Sequence, residues 1–149
     1  MAQVEFYVLE EVSADARLRL ACRLAEQACA DAHSVFILAS SPDEARRMDD
    51  LLWTFRDRSF VPHELVENAG ANAPPVLIGT SLAAAPVREV LVNLAPQMPE
   101  GCEAFSRILE PLDADEERRR RGRERYRAYR ERGLVPASHT IGPGDGSEL

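Results

Sequence analysis

The chain has 149 residues, is 45% hydrophobic, carries a formal charge of −7 and contains no lysine. Its size suits one domain with a single core, and no apolar run approaches the roughly 18 residues that cross a bilayer. Without lysine, a phosphate-loop lysine and a Schiff base are excluded, and Cys22, Cys29 and Cys102, odd in number and lacking CxxC spacing, indicate neither a disulfide framework nor a thiolate metal site.

The amino-terminal stretch MAQVEFYVLEE lacks the basic start and small-residue cleavage site of a signal peptide, so a cytoplasmic protein is expected. Val4 to Leu9 reads as a strand. Ser13 is placed to cap a helix whose apolar positions recur to about Ala32, with Cys22 and Cys29 as small core residues on its apolar face. Val35 to Ala39 is a second strand; Ser41, followed by Pro42, Asp43 and Glu44, then opens a helix running to about Leu52. Pro74 and Pro75 introduce a strand at Val76 to Gly79, Thr80 to Pro86 reads as a loop, and Glu89 to Leu94 and Arg107 to Leu112 are further strands. A last helix is expected from about Asp113 to a C-cap at Gly133. Leu134 and Val135 are expected to pack back on the sheet, and residues 142–149, with Asp145 and Glu148, to form a flexible acidic tail. The short-spaced alternation of strands and helices predicts one α/β domain over residues 1–141, with a mainly parallel sheet core flanked by helices.

Enzymatic constellations are missing. The first strand leads into EEVSADAR and the second into ASSPDEAR, neither with the glycines of a nucleotide-binding loop. His33, His63 and His139 form no metal-ligand spacing, Asp49 and Asp50 diverge on a helix, and Ser40 and Ser41 lack the glycines of a nucleophile elbow. Glu10 and Glu11, at a strand end, have no recognisable nucleophile beside them. A non-catalytic protein without cofactor or metal is expected.

Two surfaces stand out. From Arg118 to Arg132 the chain holds nine arginines against two glutamates, +7, leaving nine arginines against 23 acids, −14, elsewhere. Helical periodicity groups Arg119, Arg123, Tyr126, Arg127 and Arg130 on a broad face, a cationic surface with an embedded ring. Planar guanidinium forks suit the carboxylates of an acidic peptide; the same face can bind single-stranded nucleic acid, with tyrosines stacking on bases. The second surface is LLWTFRDRSFVPHEL, where Trp53 and Phe60 mix with Arg56 and Arg58 as in protein–protein hot spots, while Leu52 and Phe55 suit the core.

Taken together, FYVL at Phe6 to Leu9, LLW at Leu51 to Trp53, SFVPH at Ser59 to His63 and RERYRAYRERG at Arg123 to Gly133 resemble the chi subunit family of bacterial DNA polymerase III, over about 135 residues in the expected order. The resemblance implies a Rossmann-like fold without nucleotide chemistry. It also implies an adaptor in DNA replication that links the clamp loader, through the psi subunit, to single-stranded DNA-binding protein at the replisome. On that resemblance Arg119, Arg123, Tyr126, Arg127 and Arg130, with Leu112, receive the acidic C-terminal tail of single-stranded DNA-binding protein, and Trp53, Phe60, Val61 and Pro62 face psi in a heterodimer. DNA would then be reached indirectly, through the tail; direct single-stranded nucleic-acid binding by the arginine-rich helix is the alternative.

Overall fold

The computed structural model of the chain describes residues 2–56, 60–70, 72–83 and 88–142. Arg58 and Ser59 of the aromatic segment, residues 84–86 of the expected loop and residues 143–149 of the expected acidic tail lie outside the described residues. In chain order the elements are β1 (Gln3–Leu9), α1 (Ala14–Ala30), β2 (Val35–Leu38), α2 (Pro42–Thr54), β3 (His63–Leu65), β4 (Val76–Gly79), β5 (Val90–Asn93), β6 (Arg107–Leu112), α3 (Glu116–Glu131) and β7 (Ala137–Ile141).

The strands form one sheet in the order β3-β4-β2-β5-β6-β1-β7, and every described pairing is parallel. The expected α/β fold is therefore present, a Rossmann-like layering with helices on both faces. Parallel strands buried on both sides read as continuous apolar runs, which is why VFIL, VLIG and VLVN are buried at every position. On one face α1 and α2 pack Leu20, Leu24, Met48 and Leu51 over Val35, Ile37, Ile78, Val92 and Leu109. On the other, Val4, Phe6, Phe36, Leu91, Ile108 and Leu112 meet Tyr129, Leu134, Cys102 and Phe105.

Helix starts follow the capping chemistry legible in the chain. The Ser13 hydroxyl accepts from the Ala16 N–H and the Ser41 hydroxyl from the Glu44 N–H. The last helix differs from expectation by a few residues. It starts at Glu116 and is capped by Asp115, whose carboxylate accepts from the Arg118 N–H, while Asp113 is bonded to Arg118 and Ser13. Past its end Gly133 turns with φ +83°, Leu134 drops into the core, and Val135 is 86% exposed, against the expectation that both pack back. Two strands were not anticipated: β3 is only three residues long, and β7 is a polar edge strand beside β1.

The docking of α3 is unusual. Apart from Gly122, its buried residues are Arg125 and Tyr129, so no apolar stripe holds it. What lies beneath is Glu110, fully buried on β6. Its carboxylate accepts from Arg125 Nε (2.9 and 3.1 Å), the Tyr129 hydroxyl (2.6 Å) and Asn93 Nδ2 of β5 (2.9 Å). Burial, reinforced by that carboxylate, pushes the Tyr129 phenol far above its ordinary range, so it remains a donor. Arg125 Nη1 also donates to the Pro96 carbonyl (2.9 Å).

Asp113 makes a second clamp at the carboxyl end of β6. It accepts both forks of Arg118 at 2.7 Å and the Ser13 N–H at 2.8 Å, joining α3 to the start of α1. Burial alone would raise its pKa, but the bonds from Arg118 and Ser13 outweigh burial and hold the carboxyl below the usual range.

Breaking the first clamp from the acid side leaves a buried guanidinium uncompensated. Glu110→Ala should cost about 3–5 kcal/mol in denaturant unfolding, and Tyr129→Phe about 2 kcal/mol because the carboxylate keeps its other donors. For the second clamp the sign follows from a depressed folded-state pKa. The contribution of Asp113 is complete above its unfolded value, about 3.9, and is lost as pH falls through the lower folded value. Asp113→Asn should therefore be less stable than the parent at pH 7, with the gap narrowing on acidification below about pH 4; chemical unfolding across that range measures it.

Candidate functional site: an arginine-walled socket

The charge on α3 is divided by which arginines already have acids. Arg120 bridges Glu117 and Glu124, Arg121 pairs with Glu117, Arg132 with Glu103, Arg118 with Asp113, and Arg125 with Glu110. Arg119 has no carboxylate; its Nε donates to the Asp113 carbonyl (3.2 Å) and its Nη2 to the Leu9 carbonyl (3.0 Å), which fixes its guanidinium at the carboxyl end of β1. The side chains of Arg123, Arg127 and Arg130 make no hydrogen bond or ion pair with any described residue.

Three of these four line one cavity. It measures about 370 Å³ and is walled by Arg119, Arg123, Tyr126 and Arg127 of α3, floored by Phe6, Val8, Leu112 and Gly122, and closed at the side by Ser138 of β7. Strand alternation explains the floor. Phe6 and Val8 point to the α3 face of β1, Leu112 to the same face of β6, and register sets Ser138 beside Phe6. Tyr126 is half-buried, tilted against Phe6 with ring centroids 5.6 Å apart, and its hydroxyl leans toward the Pro136 carbonyl at 3.4 Å. An apolar floor beneath unpaired guanidinium groups can take a ligand that combines carboxylates with a greasy group.

Of the residues expected at this surface, Arg119, Arg123, Tyr126, Arg127 and Leu112 come together, while Arg130 is exposed on the same helix outside the cavity lining. Phe6, Val8, Gly122 and Ser138 were missed. The β-prone alternation of Val4, Phe6 and Val8 was the available signal, but nothing in it tells which helix covers that face.

The exposed aromatic surface is smaller than expected. Trp53 (54% exposed) and Phe60 (69% exposed) form a tilted pair with centroids 5.6 Å apart. Beneath them the buried His63 ring lies 4.6 Å from Trp53, its Nδ1 2.6 Å from the Val61 carbonyl and Nε2 3.0 Å from the Asp49 carbonyl, which braces the indole. Val61 is 3% exposed and belongs to the core, so its side chain underpins this ridge from within; Pro62 is half-buried.

Elsewhere the candidate groups have structural roles. Among the described residues no cluster of three or more His, Cys, Asp or Glu could hold a metal ion, and no helix is long and apolar enough to cross a membrane. Burial pushes the Cys22 thiol up to about 12 and the Cys102 thiol up to about 11, away from thiolate chemistry. Glu10 and Glu11 are exposed, and Ser40 bonds to Glu44 at the start of α2.

Known proteins match this chain over nearly its whole length. The chain is 34% identical over 141 residues to the DNA polymerase III subunit chi of Pseudomonas aeruginosa, covering 95% of this chain and 98% of that one. Over 139 residues it is 28% identical to the subunit chi of Escherichia coli, covering 90% and 95%, and 27% identical to that of Haemophilus influenzae, covering 93% and 96%. The family model described as DNA polymerase III chi subunit, HolC, matches residues 1–137. That span takes in α3, the socket floor and the aromatic ridge, and the chain belongs to the DNA polymerase III chi subunit family.

Proposed function

We propose that this chain is a non-catalytic adaptor of the DNA polymerase III holoenzyme. The socket under α3 takes the acidic C-terminal tail of single-stranded DNA-binding protein, and the Trp53–Phe60 ridge carries the psi subunit and, through it, the clamp loader. One observation supports the first half above all. Three of the four α3 arginines that lack an acid in the fold, Arg119, Arg123 and Arg127, line one apolar cavity, whereas the acid-paired Arg118, Arg120, Arg121 and Arg125 do not line it.

In this reading Arg123 and Arg127 hold aspartates of the tail, and Arg119, already oriented by two backbone carbonyls, holds a carboxylate near the floor. The last apolar residue of the tail rests against Phe6, Val8, Leu112 and Tyr126. Because a short disordered ligand is ordered on binding, affinity is modest and salt-sensitive, and several tails on one oligomer raise it by avidity. The net charge of −7 favours a compact acidic tail over a long nucleic-acid footprint, since duplex or single-stranded binding draws on extended cationic surface.

For the ridge, an exposed indole and phenyl held as a pair by a buried histidine supply a preformed aromatic anchor of the type that dominates protein–protein affinity.

A fluorescent peptide ending in aspartates and phenylalanine should bind the full chain, weakening at least tenfold as salt rises from about 0.05 to 0.3 M. The pair Arg127→Glu with Tyr126→Ala should remove most of the anisotropy change. Unchanged binding by that variant, or tighter binding of a labelled oligonucleotide than of the peptide, would defeat the assignment. In a pull-down of psi, Trp53→Ala with Phe60→Ala should lose capture by about tenfold or more while peptide binding persists.

A further inference from the structure

Gly122 stands in the middle of α3, where glycine is the least favoured residue after proline. Its backbone is ordinary helix, so no left-handed turn requires it. Proximity explains it instead. A Cβ built at Gly122 would lie 2.7 Å from Leu112 Cδ1 and 3.5 Å from Leu112 Cδ2, so the leucine fills the space a side chain would take.

Leu112 is also part of the socket floor, as is Gly122. It borders a second crevice as well, one lined by Arg17, Arg118, Arg121, Arg125 and acids. A side chain at position 122 must displace the leucine methyls. Seven charged side chains line the crevice beside Leu94 and Pro96, whereas three line the socket beside Phe6, Val8 and Tyr126, so an apolar group is better accommodated toward the socket.

We propose that Gly122 sets the depth of the socket and thereby its selectivity for a tail ending in a large ring over one ending in a small residue. By letting Leu112 tuck beneath the helix backbone, it keeps the floor open where the terminal side chain rests. This inference rests on the tail-binding reading and adds to it a specificity residue that makes no charged contact with the ligand. The helix tolerates a poor helix former because α3 is anchored by Glu110 and Asp113 and not by its own propensity.

The experiment uses the full chain, Gly122→Ala, and two synthetic peptides identical in their aspartates but ending in phenylalanine or alanine. The parent should prefer the phenylalanine peptide by about tenfold or more, the usual worth of a filled apolar pocket. Gly122→Ala should lose about tenfold for the phenylalanine peptide and less than twofold for the alanine peptide, so that selectivity collapses while the charge-dependent binding survives. Its thermal midpoint should hold or rise, since alanine favours helix. A variant that keeps the parent's preference overturns the role of Gly122 and leaves tail binding standing; a parent that binds neither peptide overturns both. Should Gly122→Ala fail to fold, Leu112→Ala enlarges the same floor without touching the helix and should shift preference further toward rings, tryptophan included. An unchanged ratio of tryptophan-peptide to phenylalanine-peptide affinity in that variant also overturns the proposal.

Discussion

A carboxylate buried between the sheet and a helix of arginines is the constraint on which this molecule turns. Glu110 has no exposure, and it is one of the few residues that α3 can pack against without an apolar stripe of its own. Three donors from two elements converge on it, so the desolvation of one charge is met by an opposite charge and by neutral hydrogen bonds. Such a clamp also fixes rotation. If α3 turned by one residue about its axis, Arg125 and Tyr129 would leave the acid together, and Arg119, Arg123 and Tyr126 would leave the cavity. The positions of the surface arginines are thus a consequence of a contact on the neighbouring face of the helix.

That link resolves why so many arginines share sixteen residues. Arg118 and Arg125 are fastened to acids of β6 and its end, and Arg120 and Arg121 neutralise the exposed acids of the same helix. The remainder is a small group whose charge has no internal answer. Counting net charge over the segment overstates the free cationic surface, because most of the excess is consumed by structural pairs. What is left suits a ligand of a few carboxylates more than a polyanion.

How much of this could be read from the chain differs by interaction range. Caps at Ser13 and Ser41, the buried runs of β2, β4 and β5, and the arginine face of α3 rest on neighbours within a few residues, and they were legible. Edge strand β7 was not, because ASHTI has no apolar run and acquires its conformation from pairing with β1, more than 130 residues earlier. Nor was Glu110. An acid in a strand reads as a solvent-facing residue unless one knows that Arg125, Tyr129 and Asn93 converge above it. The same limit applied to the site. Its helical wall was visible, and its floor, Phe6, Val8 and Leu112, depended on the order of strands in the sheet.

Sheet order also separates the two surfaces. The ridge of Trp53 and Phe60 sits by β3, at one edge, and the socket lies over β6, β1 and β7, at the other. Four strand spacings from β3 to β6, at about 4.8 Å each, put them roughly 20 Å apart across a rigid parallel sheet. No described ion pair or hydrogen bond runs from the Trp53 brace to the socket wall, since His63 bonds to Asp49 and Val61 while Arg119 bonds to Leu9 and Asp113. The fold therefore keeps the ridge and the socket apart by distance across the sheet, so the two partners proposed for them need no conformational change to be held at once.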